Sequence, residues 1–221
     1  MHLTPRNITL QADDVTLEGD LIQPDGATGI VVFAHGSGSS RFSSRNRQVA
    51  QYLAEQGLAT LLFDLLTPQE NEIDMRTREL RFDIPLIGSR MTAAVGWVAT
   101  ADATRHLSIG LFGASTGAAA ALIAAAERPE QVRAVVSRGG RPDLAGRHLA
   151  DVKVPTLLLV GGRDEPVIEL NDQARRQMTD ADCELVIVPG ATHLFEEPGA
   201  LEKVQQHAVR FFQQYLQGGE G

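Results

Sequence analysis

The chain of 221 residues carries a single cysteine, Cys183. That excludes an internal disulfide and a cysteine-built metal cluster. No activating neighbour accompanies Cys183 in sequence, so it reads as a structural or surface thiol. No apolar stretch approaches the roughly 18 residues that a membrane-spanning helix needs. The opening MHLTPRNITL lacks the charged start and apolar run of a secretory leader. Positive charge is also scarce: 20 Lys plus Arg stand against 28 Asp plus Glu, a formal net charge of -8. Nucleic acid and anionic membranes recruit basic surfaces, so neither is expected as a partner. No Gly-x-Gly-x-x-Gly follows a strand-like run and no Walker-type loop occurs, so no nucleotide site is expected. The His, Asp and Glu residues show no metal-ligand spacing, and neither metal nor cofactor is expected. Repeats, low-complexity segments and linkers are missing too. The expectation is a soluble, cytoplasmic protein whose partner is a small molecule.

What is present is an ordinary globular balance, 43% hydrophobic and 22% charged. A chain of this size buries roughly 70% of its unfolded surface, enough for a core without staples. At roughly 100–200 residues per domain, one domain over residues 1–221 is expected, with Gly218–Gly221 as a frayed end.

Two strand-like runs, Asn7–Gln11 and Val15–Ile22, flank Ala12-Asp13-Asp14 and read as an antiparallel hairpin. The pattern then changes to short continuous apolar runs, which suit strands buried on both faces. They are Gly29–Ala34, Ala59–Phe63, Ser108–Phe112, Val132–Ser137, Thr156–Val160 and Glu184–Val188. Between them lie helical patterns at Arg45–Gln56, Leu86–Thr100, Ser115–Glu127, Val167–Met178 and Pro198–Gln217. Residues 65–85 are mixed and charged and read as a long loop, functional or partly mobile. Alternating strands and helices behind a hairpin predict an α/β protein with a mostly parallel sheet covered on both faces.

The sharpest motif is Gly113-Ala114-Ser115-Thr116-Gly117. It directly follows the strand-like SIGLF and directly opens an alanine-rich helix, which is the setting of a nucleophile elbow. Glycines two positions either side remove clashes with the strained serine, and the helix N-terminus favours negative charge there. A serine hydroxyl is a poor nucleophile without a positioned base. In this architecture an acid and then a histidine follow the serine along the chain. Asp164 stands immediately beyond the run LLLVGGRD, at the carboxyl end of a strand where functional loops gather. Its rivals Asp143, Asp151, Asp172, Asp180 and Asp182 read as loop, helix or cap positions. His193 follows a strand in VPGATH and precedes the last helix, which places it as general base. His207 falls inside that helix and reads as a solvated face residue.

An oxyanion hole needs two backbone N–H groups. Thr116, next to the serine, supplies one candidate, and Ser37 in the turn His35-Gly36-Ser37-Gly38 the other. His35 reads as a buttress of that turn. Arg138, at a strand end, and Arg41, beyond the oxyanion turn, are candidates to hold a substrate carboxylate. The alternative for each is an ordinary salt bridge, with Asp64 among the partners.

Ser115 in its elbow, Asp164, His193 and the His35-Gly36 turn, in this order, resemble the α/β-hydrolase superfamily and within it the dienelactone-hydrolase-related group. HGSGSSRFSSRN, LFGASTGAAAAL, SRGGRPDLA and PGATHLFEEPGAL are similar to a subgroup found alone or fused to a phosphoribosyltransferase-like domain. The resemblance implies a sheet of about eight strands, the second antiparallel, and acyl transfer by Ser115, His193 and Asp164 without metal or cofactor. Dienelactone hydrolases proper carry cysteine in the elbow, so Ser115 shifts the expectation from lactones toward small or short-chain carboxylic esters. Lactone, thioester or short-peptide hydrolysis on the same three residues, or a non-catalytic binding module, are the alternatives. Large caps in this superfamily enter after the sixth strand, where residues 138–155 leave room for one short helix. An open site is expected.

Overall fold

A computed structural model describes residues 3–217; the expected fraying of Gly218–Gly221 lies outside them. The chain opens with the hairpin β1 (Arg6–Ala12) and β2 (Val15–Ile22), turned at Asp13, whose φ is +52°. Then follow β3 (Gly29–Ala34), α1 (Ser44–Glu55), β4 (Ala59–Phe63), α2 (Pro68–Thr77) and α3 (Ile84–Thr100). The second half runs β5 (Ser108–Ala114), α4 (Gly117–Glu127), β6 (Val132–Arg138), β7 (Thr156–Gly161), α5 (Glu165–Gln177), β8 (Cys183–Val188) and α6 (Ala200–Leu216). The eight strands form one sheet in the order β1-β2-β4-β3-β5-β6-β7-β8. β2 is antiparallel to β1 and to β4, and every pairing beyond β4 is parallel.

The apolar runs become the central strands because both of their faces are covered. Alternate residues of β3 divide accordingly: Ile30 and Val32 pack toward α3 and α4, Val31 and Phe33 toward α1 and α6. Met91, Ala94 and Val95 of α3 and the alanines of α4 fill the first layer. Val49 and Leu53 of α1, with Val204, Ala208 and Phe212 of α6, fill the second. Small alanine side chains let α4 lie buried behind β5 from Gly117 to Ala125. The chain therefore leaves β5 for α4 by a very tight turn, at the carboxyl edge of the sheet.

Two expectations need correction. Residues 65–85 are not a loop: α2 fills the first part and a 3-10 turn, Leu80–Phe82, the second. Asp74 is the only buried residue of α2, so no apolar stripe announced the helix. It is held by its start instead. The Thr67 hydroxyl accepts from the Glu70 N–H while the Glu70 carboxylate accepts from the Thr67 N–H, with Pro68 at the first position. The segment after β6 is a 3-10 stretch, Pro142–Asp151, broken at Gly146, so the short helix expected there is two turns around a kink. No helix among the described residues is long and apolar enough to cross a membrane.

Candidate active site

Ser115 sits between β5 and α4 with φ +51°, one of four non-glycine residues with positive φ among those described. A side chain in that region is strained, and surrounding contacts must hold it. Here the Ser115 N–H donates to the Arg138 carbonyl at 3.3 Å. Its own carbonyl accepts from Ala118 at 3.1 Å and from Arg141 at 3.0 Å. Gly117 allows the turn because a Cβ there would lie 2.3 Å from the Ala34 carbonyl oxygen. The elbow is thus pressed against the end of β3. A Cβ on Gly36 would lie 3.1 Å from the Cβ of Ser115, so the turn after β3 runs alongside the serine.

Two loops at the far ends of β7 and β8 bring the other two residues together. Asp164 occupies the position before the first residue of α5, yet its carboxylate does not cap the helix. It accepts instead from Nδ1 of His193 at 2.6 Å. With Nδ1–H engaged by the carboxylate, Nε2 keeps its lone pair and is free to take a proton. The Arg163 N–H bonds to the Ala191 carbonyl at 2.9 Å and pins the two loops to each other. Beyond His193, Phe195 is buried at φ +54° in the α1–α6 layer and fixes the loop from below. Gly139 links this pair to the elbow: a Cβ on it would lie 3.0 Å from the His193 carbonyl oxygen and 3.7 Å from Cε1 of its ring. Among the described residues the imidazole's hydrogen bond runs to Asp164, and none joins it to Ser115.

Ser37 and Thr116 line one recess, together with His35, Gly36 and Arg81. His35 buttresses the turn, as its sequence suggests. Its Nε2 accepts from the Leu65 N–H at 3.1 Å, and its Nδ1–H donates to the Gly36 carbonyl at 2.9 Å. Burial lowers its pKa, in keeping with a neutral ring that both donates and accepts.

The two arginine candidates part company. Arg41 meets the carboxylates of Asp64, Glu18 and Asp20, and its backbone N–H also donates to Asp64 at 2.8 Å. The salt-bridge alternative describes Arg41, and no substrate role is carried forward for it. Arg138 is different. It is 8% exposed, and its Nη1 is buried without a hydrogen-bond partner. Burial, together with the neighbouring positive charge of Arg45, pushes its pKa down to about 10. Arg45 itself pairs with Glu196 at 3.2 Å. Sequence reasoning missed Arg81, whose Nη1 would be 2.7 Å from a Cβ on Gly38. It reaches the recess because Asp74, buried on α2, grips it at 2.6 Å. The helix start Thr67-Pro68-Gln69-Glu70 was the available clue.

Comparisons with known proteins give the family and the fold. The model of the dienelactone hydrolase family matches residues 17–217. The chain is 55% identical over 216 residues to a Mycobacterium tuberculosis protein named as a phosphoribosyl transferase, covering 98% of this chain and 48% of that one. The chain therefore spans about half the length of the curated relatives it matches first. A crystal structure of a dienelactone hydrolase from Anabaena variabilis superposes with a TM-score of 0.95 at 57% identity, covering 98% of this chain and all of that one. Est1E from Butyrivibrio proteoclasticus, 18% identical over 94% of this chain and 98% of its own, shares the fold with a TM-score of 0.77.

Proposed function

The chain belongs to the dienelactone hydrolase family, and from that premise we propose that it is a serine hydrolase of small or short-chain carboxylic esters. The observation that carries the reading is the Asp164–His193 hydrogen bond of 2.6 Å, joined to a serine elbow whose Ser115 is held at positive φ. In the proposed reaction His193 Nε2 takes the Ser115 proton as the hydroxyl oxygen attacks the ester carbonyl. Asp164 holds the ring in the required tautomer and stabilises its cation. The amides of Ser37 and Thr116 receive the oxyanion, a contribution of about 3 kcal/mol for each donor. The tetrahedral intermediate collapses, and His193 hands its proton to the leaving oxygen. Water then attacks the acyl-enzyme with the same base.

Ester cleavage is favoured over lactone cleavage because the elbow holds serine. Only a short kinked segment follows β6, which suits an open site and compact substrates. Arg138 is proposed to meet a substrate carboxylate, since its carbonyl holds the Ser115 N–H and its Nη1 is buried without a hydrogen-bond partner. Active-site labelling tests the reading. A fluorophosphonate probe is expected to attach to Ser115, to leave Ser115→Ala unlabelled, and to react far more slowly with His193→Ala. Folded wild-type protein that resists the probe would instead indicate a binding module with an unactivated serine.

A further inference from the structure

Residues 189–199 join β8 to α6 with neither helix nor strand of their own, and they carry His193. A base on such a span keeps its place only through individual ties. Asp164 fixes the His193 ring. The backbone is fixed through Thr192. Its N–H donates to the Glu197 carboxylate at 3.1 Å, and its carbonyl accepts from the Phe195 N–H at 3.2 Å. These two bonds hold the peptide planes on either side of the Thr192 Cα, and the second plane leads directly into His193. Glu197 is itself anchored. Its carbonyl accepts at 3.0 Å from the N–H of Ala200, the first residue of α6, and Val204, Ala208 and Phe212 bury that helix in the core. Pro198 restricts the Glu197 backbone further. Hydrogen bonding from the Thr192 side chain and N–H, with the charge of Arg163 nearby, lowers the Glu197 pKa. Its carboxylate is therefore ionised at neutral pH, and an N–H bond to a charged acceptor is stronger than one to a neutral acceptor. The neighbouring Glu196 is exposed and turns to a different partner, Arg45 at the start of α1.

Resting on the serine-hydrolase reading above, we propose that Glu197 is a positioning residue for the general base: its carboxylate clasps Thr192 and so sets where the His193 ring stands. Glu197 touches no reacting atom and acts through His193. The ring is then held from two ends, by Asp164 at Nδ1 and by Glu197 through the backbone. Without the clasp the peptide entering His193 loses one of its two ties, and Asp164 steadies a ring whose backbone shifts. Proton transfer depends steeply on that placement, whereas ester binding does not involve Glu197, so the effect belongs to kcat.

The test is steady-state hydrolysis of 4-nitrophenyl butyrate by wild type, Glu197→Ala, Glu197→Ser, Glu197→Gln and Glu196→Ala, each shown to be folded by thermal unfolding. Alanine and serine at 197 cannot reach Thr192. Both are expected to lower kcat about 10- to 100-fold with KM within about twofold, as a small misplacement of a catalytic group does. Glutamine keeps an acceptor oxygen at the same reach and is expected to stay within about threefold of wild type. Glu196→Ala, which breaks only an exposed ion pair, is expected to stay within about twofold. A double variant separates positioning from general support of the site. In a His193→Ala background, where no base is left to position, Glu197→Ala is expected to cost no further activity. The full loss recurring in that background overturns the proposal. So does a wild-type kcat in Glu197→Ala, a loss carried by KM, or an equal loss in Glu197→Gln or Glu196→Ala. Failure of the hydrolase reading looks different: wild type then neither hydrolyses the ester nor takes the fluorophosphonate.

Discussion

Arg138→Met should make the protein more stable. Arg138 is 8% exposed, its Nη1 has no hydrogen-bond partner, and the charge beside it is another arginine, Arg45. Burial pushes its pKa down to about 10, and a drop of that size from an ordinary arginine corresponds to about 3 kcal/mol of unfavourable charge burial. Methionine fills much of the same volume and carries no charge, and replacing uncompensated buried charge by packed apolar atoms is commonly favourable. Water reaching the site relieves part of the cost, so the expected gain is about 1 to 3 kcal/mol. At this chain length that raises Tm by about 3 to 9 °C. The pH dependence has a definite sign. A base whose pKa is depressed on folding is penalised wherever both states carry the proton, and the penalty fades as pH rises through the folded-state value. The advantage of Arg138→Met should hold level from pH 7 to 9 and shrink above about 10. Thermal unfolding followed by circular dichroism at several pH values reads this directly. An Arg138→Met protein that unfolds earlier than wild type across pH 7 to 9 refutes the reasoning, because the guanidinium must then have stabilising partners. If Arg138 exists to meet a substrate anion, the same variant also loses preference for anion-bearing esters, stability having been given up for function.

Other outcomes follow from the site's supports. His35 is buried, and its lowered pKa keeps it neutral when folded, while the unfolded chain takes up a proton below about pH 6.5. Stability should therefore fall as pH drops below that point, and His35→Gln should show a shallower acid limb in denaturant titrations. Gly117→Ala places a methyl 2.3 Å from the Ala34 carbonyl oxygen, against backbone that cannot yield. It should cost about 2 kcal/mol or more in urea unfolding and lower turnover as the elbow shifts, whereas a wild-type urea midpoint would show that the turn has slack.

The parts of this fold that show in the sequence are those where one local signal decides. Ala59–Phe63 and Val15–Ile22 are strands with the bounds the patterns suggest, because buried parallel strands are unbroken apolar runs and hairpins alternate. The elbow shows because strand, turn and helix meet within GASTG. Asp164 and His193 show as residues at strand ends, and the structure joins them at 2.6 Å. What does not show depends on partners distant in the chain. α2 has no apolar stripe, and its buried Asp74 is held by Arg81, seven residues on. Arg41 and Arg138 look alike in sequence, as arginines near strand ends. One finds Asp64, Glu18 and Asp20, and the other finds Arg45, a difference that only the packed sheet creates.

The most direct test of the central claim is hydrolysis of 4-nitrophenyl butyrate by wild type beside Ser115→Ala, with both proteins shown to be folded. Turnover by wild type that drops to the uncatalysed background in Ser115→Ala is the expected result. Ester turnover that persists in Ser115→Ala at the wild-type rate would contradict it.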